Sequence, residues 1–396
     1  MEKSIRTERK TSDYGGLSAI NHVYKIPDTY CGNCKPQKFD AMILKDKKIK
    51  AKELTIPQGV QRVFLEILSN SGDNIDASRR ANVDPDCIKI TANEKTISIE
   101  NGGLHIPVKR VSLIRHNGNT TVSEYKDGDE VWKWLPAFIF GEFRSSNNYD
   151  EKHTRMGCGR NGFGAKLTNI FSKQFIVEVE DPDTKTKFKG IWRDNMFKDD
   201  ENGKPEIEIQ KDKTIKKGKV KITWDLDFKR FKMEKYSEDD LNLFKRFAVD
   251  FSFTCKIKTF FNEEELDYRD IKTYASLIWP EEEIKNNIIS YVWNKDAPET
   301  LKSGSQKMQE GKIIDAKKPE HIPDVEILVI DTVDKSKNIS YVNGLITEEG
   351  GVHLDAVQEP IFKYIAGIIN GEKKRGKKAG SAITVKNIKS HVSFIV

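Results

Sequence analysis

Glu66, Asn70, Asp73 and Asn74 stand at i, i+4, i+7 and i+8, so a helix would carry them on one face. A carboxylate and a carboxamide one turn apart can divide the work of a hydrolysis. Glu66 can orient and deprotonate a water, while the side-chain oxygen of Asn70 can ligate Mg2+, a hard cation that prefers oxygen. A solvated helix face would read the same way, but asparagine is a poor helix former and its presence asks for a reason. A second segment runs from Gly157 to Phe171 (GCGRNGFGAKLTNIF), with four glycines in its first eight residues. Ala165, Leu167, Ile170 and Phe171 then recur at roughly helical spacing. A flexible loop entering a helix offers free N–H groups and the positive end of the helix dipole to a phosphate. Arg160 and Lys166 add charge there. The loop lacks the G-x-x-x-x-G-K-[ST] order of a Walker A, and a glycine-rich surface loop is the alternative. A third candidate is the turn Asn101-Gly-Gly-Leu-His105, where glycine permits a close backbone approach to a ligand.

The elements that must position these groups follow from periodicity. Val60, Val63, Phe64, Ile67 and Leu68 predict a helix from about Gln58 to Ile75. Alternation predicts strands at Cys87 to Ile90 and Thr96 to Glu100, and again at Gln174 to Val179, Thr186 to Trp192 and Lys219 to Trp224. Arg110 to Asp129 reads as an inserted hairpin or loop. A helix with Leu241, Phe244 and Phe247 closes the first unit, and strands at Cys255 to Phe261, Asp324 to Ile330 and Ile339 to Val342 alternate with helices beyond it. The fold class is therefore α/β (α+β), with an expected boundary near residue 250.

Composition bounds the rest. The chain has 396 residues, 32% of them charged, and a net charge of +6. No apolar run reaches the roughly 18 residues needed to cross a bilayer, and the N-terminus has no apolar signal region, so an intracellular protein with no membrane partner is expected. Five cysteines point to reduced thiols. Cys31-Gly-Asn-Cys34 is an isolated C-x-x-C, read as coincidence or packing because a zinc site needs further ligands. Lys211 to Lys221 and Gly371 to Lys378 are basic runs. Each is either a solvated loop or a contact for a phosphate backbone.

An asparagine on a helix, an Asn-x-Gly turn and a Gly-x-Asn-Gly-x-Gly loop occur in that order, which resembles the split ATP site (the Bergerat fold) of the GHKL superfamily. GRNGFGAKLTNIFS, LPAFIFGEF followed by SSN, PDTYCG and IWRDNM further resemble the ATPase region of eukaryotic-type type II DNA topoisomerases. ISYVNGLITEEGGVHLDAV resembles the transducer of that family, a smaller α/β domain with a ribosomal-protein-like fold. The resemblance implies a flexible arm over residues 1–23, a GHKL ATP-binding domain over 24–250 and a transducer over 251–396.

The resemblance also implies residue roles. Glu66 would be the general base, and Asn70 would hold Mg2+. ATP would be bound by Asn70, Asn74, Asn101, Gly103, Ser145, Ser146, Asn147, Thr223 and the run Gly159, Arg160, Asn161, Gly162, Phe163, Gly164, Ala165 and Lys166. Tyr24 and the arm before it would reach a partner subunit, so that ATP binding closes a homodimer. Lys373, Lys374, Arg375, Lys377 and Lys378 would contact double-stranded DNA. The family's Gln-Thr-Lys loop, metal-binding cleavage domain and DNA-cutting tyrosine are expected outside this chain, in a further domain or subunit, with slow hydrolysis in consequence. The implied activity is ATP-driven gating of duplex DNA passage, in nucleus or cytoplasm. A nucleotide-dependent clamp without significant hydrolysis is the competing reading. A MutL-type repair ATPase or a chaperone is less favoured, because SSN and GRNGFGAK speak against both. His105 stands where the family has a glycine, and an imidazole facing water is the expectation.

Overall fold

The computed structural model describes residues 18–116, 119–142, 164–196, 204–286, 288–293, 306–309, 312–315, 325–332, 336–342, 344–347, 349–375 and 382–396. They divide into two compact units. Of the described residues, one comprises those within 18–41, 53–142 and 164–244, the other those within 42–52 and 245–396. The division falls six residues before the expected boundary near residue 250.

The first unit begins with α1 (Ala19–Lys25), capped by the Ser18 hydroxyl, which accepts from Asn21 N–H. The hairpin of β1 (Gln37–Lys45) and β2 (Lys48–Ile56), whose residues 42–52 belong to the second unit, then leads into α2 (Gln58–Arg80). The expected stripe of α2 is buried, from Val60 through Ile75. The helix runs five residues past Ile75, where polar contacts to the chain near residues 102–104 hold its last turns: Asn74 Nδ2 donates to Gly102 C=O at 3.1 Å and Leu104 N–H donates to Ser78 Oγ at 2.8 Å. Arg79 and Arg80 complement the C-terminal dipole.

Against α2 lies an antiparallel sheet. Its strands are β3 (Cys87–Ala92), β4 (Thr96–Gly102), β8 (Ser172–Asp181), β9 (Thr186–Arg193), β10 (Glu206–Lys211) and β11 (Lys219–Leu226), after β5 to β7, described below. Within this unit the order is β10-β9-β8-β11-β4-β3. Period two puts Ile88, Ile90, Ile97, Ile99, Phe175, Val177, Val179, Ile222 and Trp224 on the buried face. Phe64 of α2 packs 6.4 Å from Trp224. Burial of each such side chain contributes about 1.5–3 kcal/mol. The opposite face carries cross-strand ion pairs, Lys89–Glu100, Lys219–Glu180 and Lys187–Glu180.

The expected insertion is a small sheet, β6-β5-β7, of β5 (Arg110–His116), β6 (Asn119–Glu124) and β7 (Trp132–Trp134). Val111 and Leu113 bury against Phe138 of α3 (Leu135–Gly141). On the other face the Arg110 guanidinium lies 4.5 Å from the Trp132 ring, a cation–π contact. A short helix, α4 (Gly164–Ile170), packs on α2, where Thr168 Oγ1 donates to Val63 C=O at 3.0 Å.

The second unit takes most of α5 (Glu238–Cys255), then the hairpin β12 (Lys258–Phe261)–β13 (Glu264–Glu265) and the helices α6 (Ile271–Ala275) and α7 (Glu281–Asn286). A four-stranded sheet follows, ordered β14 (Ile288–Trp293), β17 (Val325–Asp331), β21 (Val392–Ile395), β18 (Asn338–Ile339). Two hairpins, β15 (Gln306–Gln309)–β16 (Lys312–Asp315) and β19 (Tyr341–Val342)–β20 (Leu345–Ile346), lie between them in sequence. The long α8 (Val352–Arg375) and short α9 (Val385–Lys389) complete it. Phe362 of α8 meets Phe394 of β21 edge-on at 5.5 Å, within a core that includes Leu354, Ile388 and Val392. The architecture is α/β with a large sheet, as expected.

Candidate functional site

The α2 face expected to do chemistry is turned toward α4 and the end of β4. Glu66 is mostly buried, and burial raises its carboxyl above the ordinary range against the pull of Arg62, whose guanidinium contacts it at 2.5 Å. Gly164 stands against this carboxylate: a Cβ there would lie 2.0 Å from Glu66 Oε2. Two residues on, Lys166 is 5% exposed. Its burial lowers the ammonium pKa to about 7. Asn70, one turn beyond Glu66, is half-buried.

The turn after β4 is tied to the same helix. Asn101 is buried and pairs across the sheet with Val220 and Ile88. Ser71 Oγ donates to its Oδ1 at 3.3 Å. Asn74 Nδ2 donates to Gly102 C=O at 3.1 Å, and Leu104 N–H donates to Ser78 Oγ at 2.8 Å. Gly103 has φ +100°, and a Cβ there would fall 2.3 Å from Ser78 Oγ. Glycine is required on both counts. Glu66, Asn70, Asn74, Asn101, Gly103, Gly164, Ala165 and Lys166 are thus gathered around one helix.

Thr223 is not brought to this group. In the ladder it pairs with Ser98 and Ile176, while Asn101 pairs with Val220. Three positions along a strand is an odd step, so Thr223 lies on the sheet face opposite Asn101. Val220, buried beside Asn101, takes the place foreseen for it. Ser145, Ser146, Asn147, Gly159, Arg160, Asn161, Gly162 and Phe163 lie outside the described residues, as do Lys377 and Lys378. Lys373, Lys374 and Arg375 end α8.

His105 does not face water. Its Nε2 lies 3.4 Å from Asp181 and 3.3 Å from Asp183, and the side chain is 20% exposed. Asp181 is held below the usual carboxylate range: its burial works upward, but hydrogen bonds from Val108, Thr184 and Asp183 outweigh it. Gly218 makes room for the imidazole stem, since a Cβ there would meet His105 Cβ at 2.6 Å. No spacing signal joins residues so far apart in sequence. The Lys211 to Lys221 run is likewise engaged: Lys217 contacts Asp84 and Asp86, and Lys219 contacts Glu100 and Glu180. All of these residues but Asp84 line a 320 Å³ cavity on the charged face, where acids largely offset the lysines.

Tyr24 is seated in its own unit. Its hydroxyl donates to Asp227 at 2.9 Å and its ring stacks on Phe171. Burial and the Asp227 carboxylate raise its pKa to about 12. Arg230 lies over the ring and donates to Tyr24 C=O at 2.9 Å.

No family model matches the chain. It is 29% identical over 387 residues to a DNA topoisomerase 2 of Acanthamoeba polyphaga mimivirus, covering 95% of this chain and 26% of that protein. It is 30% identical over 377 residues to a DNA topoisomerase 2 of Meyerozyma guilliermondii, covering 93% of this chain and 24% of the relative. The chain thus spans about a quarter of the length of the curated relatives it matches. Among solved structures, the ATPase region of Saccharomyces cerevisiae topoisomerase II superposes with a TM-score of 0.71 at 24% identity, over 97% of this chain and 85% of that one.

Proposed function

We propose, from the premise that this chain is homologous to type II DNA topoisomerases and has the fold of their ATPase region, that it binds and hydrolyses ATP to operate a dimeric gate for duplex DNA. The observation that carries this reading is the convergence on α2. A mostly buried carboxylate and an asparagine turn lie along it, a glycine is pressed against the carboxylate, and a buried lysine follows two residues on.

The residues fit a nucleoside triphosphate. The two glycines at Glu66 and Ser78 stand where any side chain would fill the cradle. Asn101 offers a carboxamide to an adenine edge. Lys166, buried in the first turn of α4, offers an ammonium to phosphate oxygens when it is protonated. Mg2+ would be held by the Asn70 side-chain oxygen and would supply charge neutralisation between phosphates.

In hydrolysis, Glu66 accepts a proton from water as the water oxygen attacks the γ-phosphorus, the bond from that phosphorus to the β,γ-bridging oxygen breaks and ADP leaves, and Lys166 offsets charge on the phosphoryl oxygens. Burial serves this role, because a carboxylate with a raised pKa is a stronger base. Tyr24, pinned by Asp227 and Arg230, is the root from which the preceding arm would reach a partner subunit. The assignment of residues 24–250 and 251–396 as ATP-binding and transducer domains belongs to the same reading, as do duplex DNA contacts at the end of α8.

Lys166 supplies a test that does not depend on turnover. With its pKa near 7 in the free protein, the side chain is mostly neutral above that pH and must take up a proton to pair with phosphate. Affinity for a non-hydrolysable ATP analogue is therefore expected to fall up to about tenfold per pH unit above 7. Calorimetry in buffers of different ionisation enthalpy should register proton uptake on binding, and Lys166→Met should remove it. The sign for folding is opposite. The unfolded lysine holds its proton to about pH 10.4, so this residue makes stability rise between pH 7 and that value. Binding that is flat with pH and releases or absorbs no proton would remove Lys166 from the phosphate site.

A further inference from the structure

His105 closes on the turn between β8 and β9. Its Nε2 stands 3.4 Å from Asp181 Oδ1 and 3.3 Å from Asp183 Oδ2. One nitrogen or oxygen from each of the three residues lies within 4.8 Å of the others. The backbone fixes this arrangement from both sides. Val108 N–H donates to Asp181 Oδ2 at 2.8 Å, which ties the segment after His105 to the end of β8. The N–H groups of Asp183 and Thr184 donate to Asp181 Oδ1 at 2.9 and 3.1 Å. The Asp181 side chain is 1% exposed and that of Asp183 is 79% exposed, so the group has a fixed floor and an open mouth.

Its charge balance differs from that of its surroundings. Acids lining the neighbouring cavity each have a lysine: Glu180 and Asp212 contact Lys187, Glu100 contacts Lys89, and Asp86 contacts Lys217. Among the described residues no lysine or arginine pairs with Asp181 or Asp183. Lys185, in the same turn, donates instead to Ile215 C=O at 2.8 Å. Two carboxylates thus share one imidazole, which supplies at most a single positive charge.

We propose that His105, Asp181 and Asp183 bind a first-row transition ion, Zn2+ above all, that clips the end of the asparagine turn to the β8–β9 turn. Ligands about 2.0–2.1 Å from a tetrahedral ion stand about 3.3 Å apart. The imidazole nitrogen has that separation from each carboxylate oxygen. Mg2+ takes oxygen rather than nitrogen, and its octahedral shell sets ligands about 2.9 Å apart. Asp181 is the fixed ligand, since a ligating carboxylate is ordinarily hydrogen-bonded as well. Asp183 completes the set from the surface. His105 ligates through Nε2 without its proton, and water takes the fourth position. None of the three residues belongs to the proposed ATP and Mg2+ site, so each site can fail without the other.

Cobalt(II) is the probe. The purified chain, stripped with a chelator, is titrated with Co2+ and then with Zn2+. One equivalent of cobalt is expected to give the strong visible bands of a four-coordinate ion, which Zn2+ bleaches and excess Mg2+ does not. No sulfur-to-cobalt band should accompany them, because Cys31 and Cys34 are not among the ligands. His105→Ala should abolish the bands. Asp183→Asn should weaken cobalt binding by at least about tenfold, the scale on which even a hydrogen-bond partner of a ligand acts. Asp183 is exposed, so this variant decides the matter should His105→Ala fail to fold. A chain with no saturable cobalt spectrum, bands displaced by Mg2+, a sulfur band, or bands unchanged in either variant would overturn the proposal.

Discussion

Glu66→Gln is expected to lower ATP turnover by about 10²–10⁴-fold, the range a positioned general base supplies, while binding of a non-hydrolysable analogue stays within about threefold of wild type. The substitution keeps the shape that packs against Gly164 and a hydrogen-bonding tip that can still reach Arg62. What it removes is the capacity to accept a proton. Because burial raises the Glu66 pKa, the acid limb of the wild-type pH profile should lie above that of an ordinary carboxylate. Turnover should rise with pH as the base form appears, and that limb should vanish in the variant. Arg62→Ala removes the charge that opposes the burial effect and should move the limb to still higher pH. Steady-state rates across pH decide the matter. Turnover in Glu66→Gln close to wild type would mean that another group moves the proton.

Asp250→Ala is expected to cost about 3–5 kcal/mol of stability, the typical effect of leaving one member of a buried ion pair alone. Asp250 contacts Arg246 one helical turn before it in α5, and Arg246 is 2% exposed. Asp250 Oδ1 also accepts from Tyr274 at 2.8 Å, and the Tyr274 and Tyr341 hydroxyls are 2.7 Å apart. Arg246 Nη2 donates to Tyr341 at 3.3 Å, which closes the network within the second unit. Among the described residues its Nε finds no hydrogen-bond partner, so the carboxylate is the main compensation for burying the guanidinium. Removing the carboxylate strands the cation altogether. The paired change Arg246→Met with Asp250→Leu should recover most of the loss, since it removes both charges from the interior. Urea unfolding followed by fluorescence and circular dichroism measures both. A single variant within about 1 kcal/mol of wild type would show that water or rearrangement reaches Arg246.

The contrast between what the sequence disclosed and what it hid has physical causes. The α2 stripe and the central strands were legible because one face of each is apolar, and burial follows that period. The end of α2 was not, because its last turns rest on Ser78 and Asn74 rather than on apolar residues. β10 escaped notice because it is exposed along its whole length, with no buried face to mark it. The continuous α8 was obscured by Pro360 within it, a residue that ordinarily ends helices.

For the candidate site, residues on one helix or one turn could be grouped by spacing, and Glu66, Asn70, Asn74, Asn101 and Gly103 were. The face of Thr223 depends on register against two partners, which no single strand reveals. The engagement of His105 by Asp181 and Asp183 joins loops far apart in the chain. In the sequence Arg246 and Asp250 are simply opposite charges one helical turn apart. Only the packing of Tyr274 and Tyr341 makes them a buried pair.

The central claim is that the α2 face is an ATP site, and calorimetric titration with a non-hydrolysable ATP analogue and Mg2+ tests it most directly. The expected result is saturable binding of one analogue per chain below about 1 mM, a concentration range common for enzyme substrates. The absence of saturable binding up to that concentration would contradict the account.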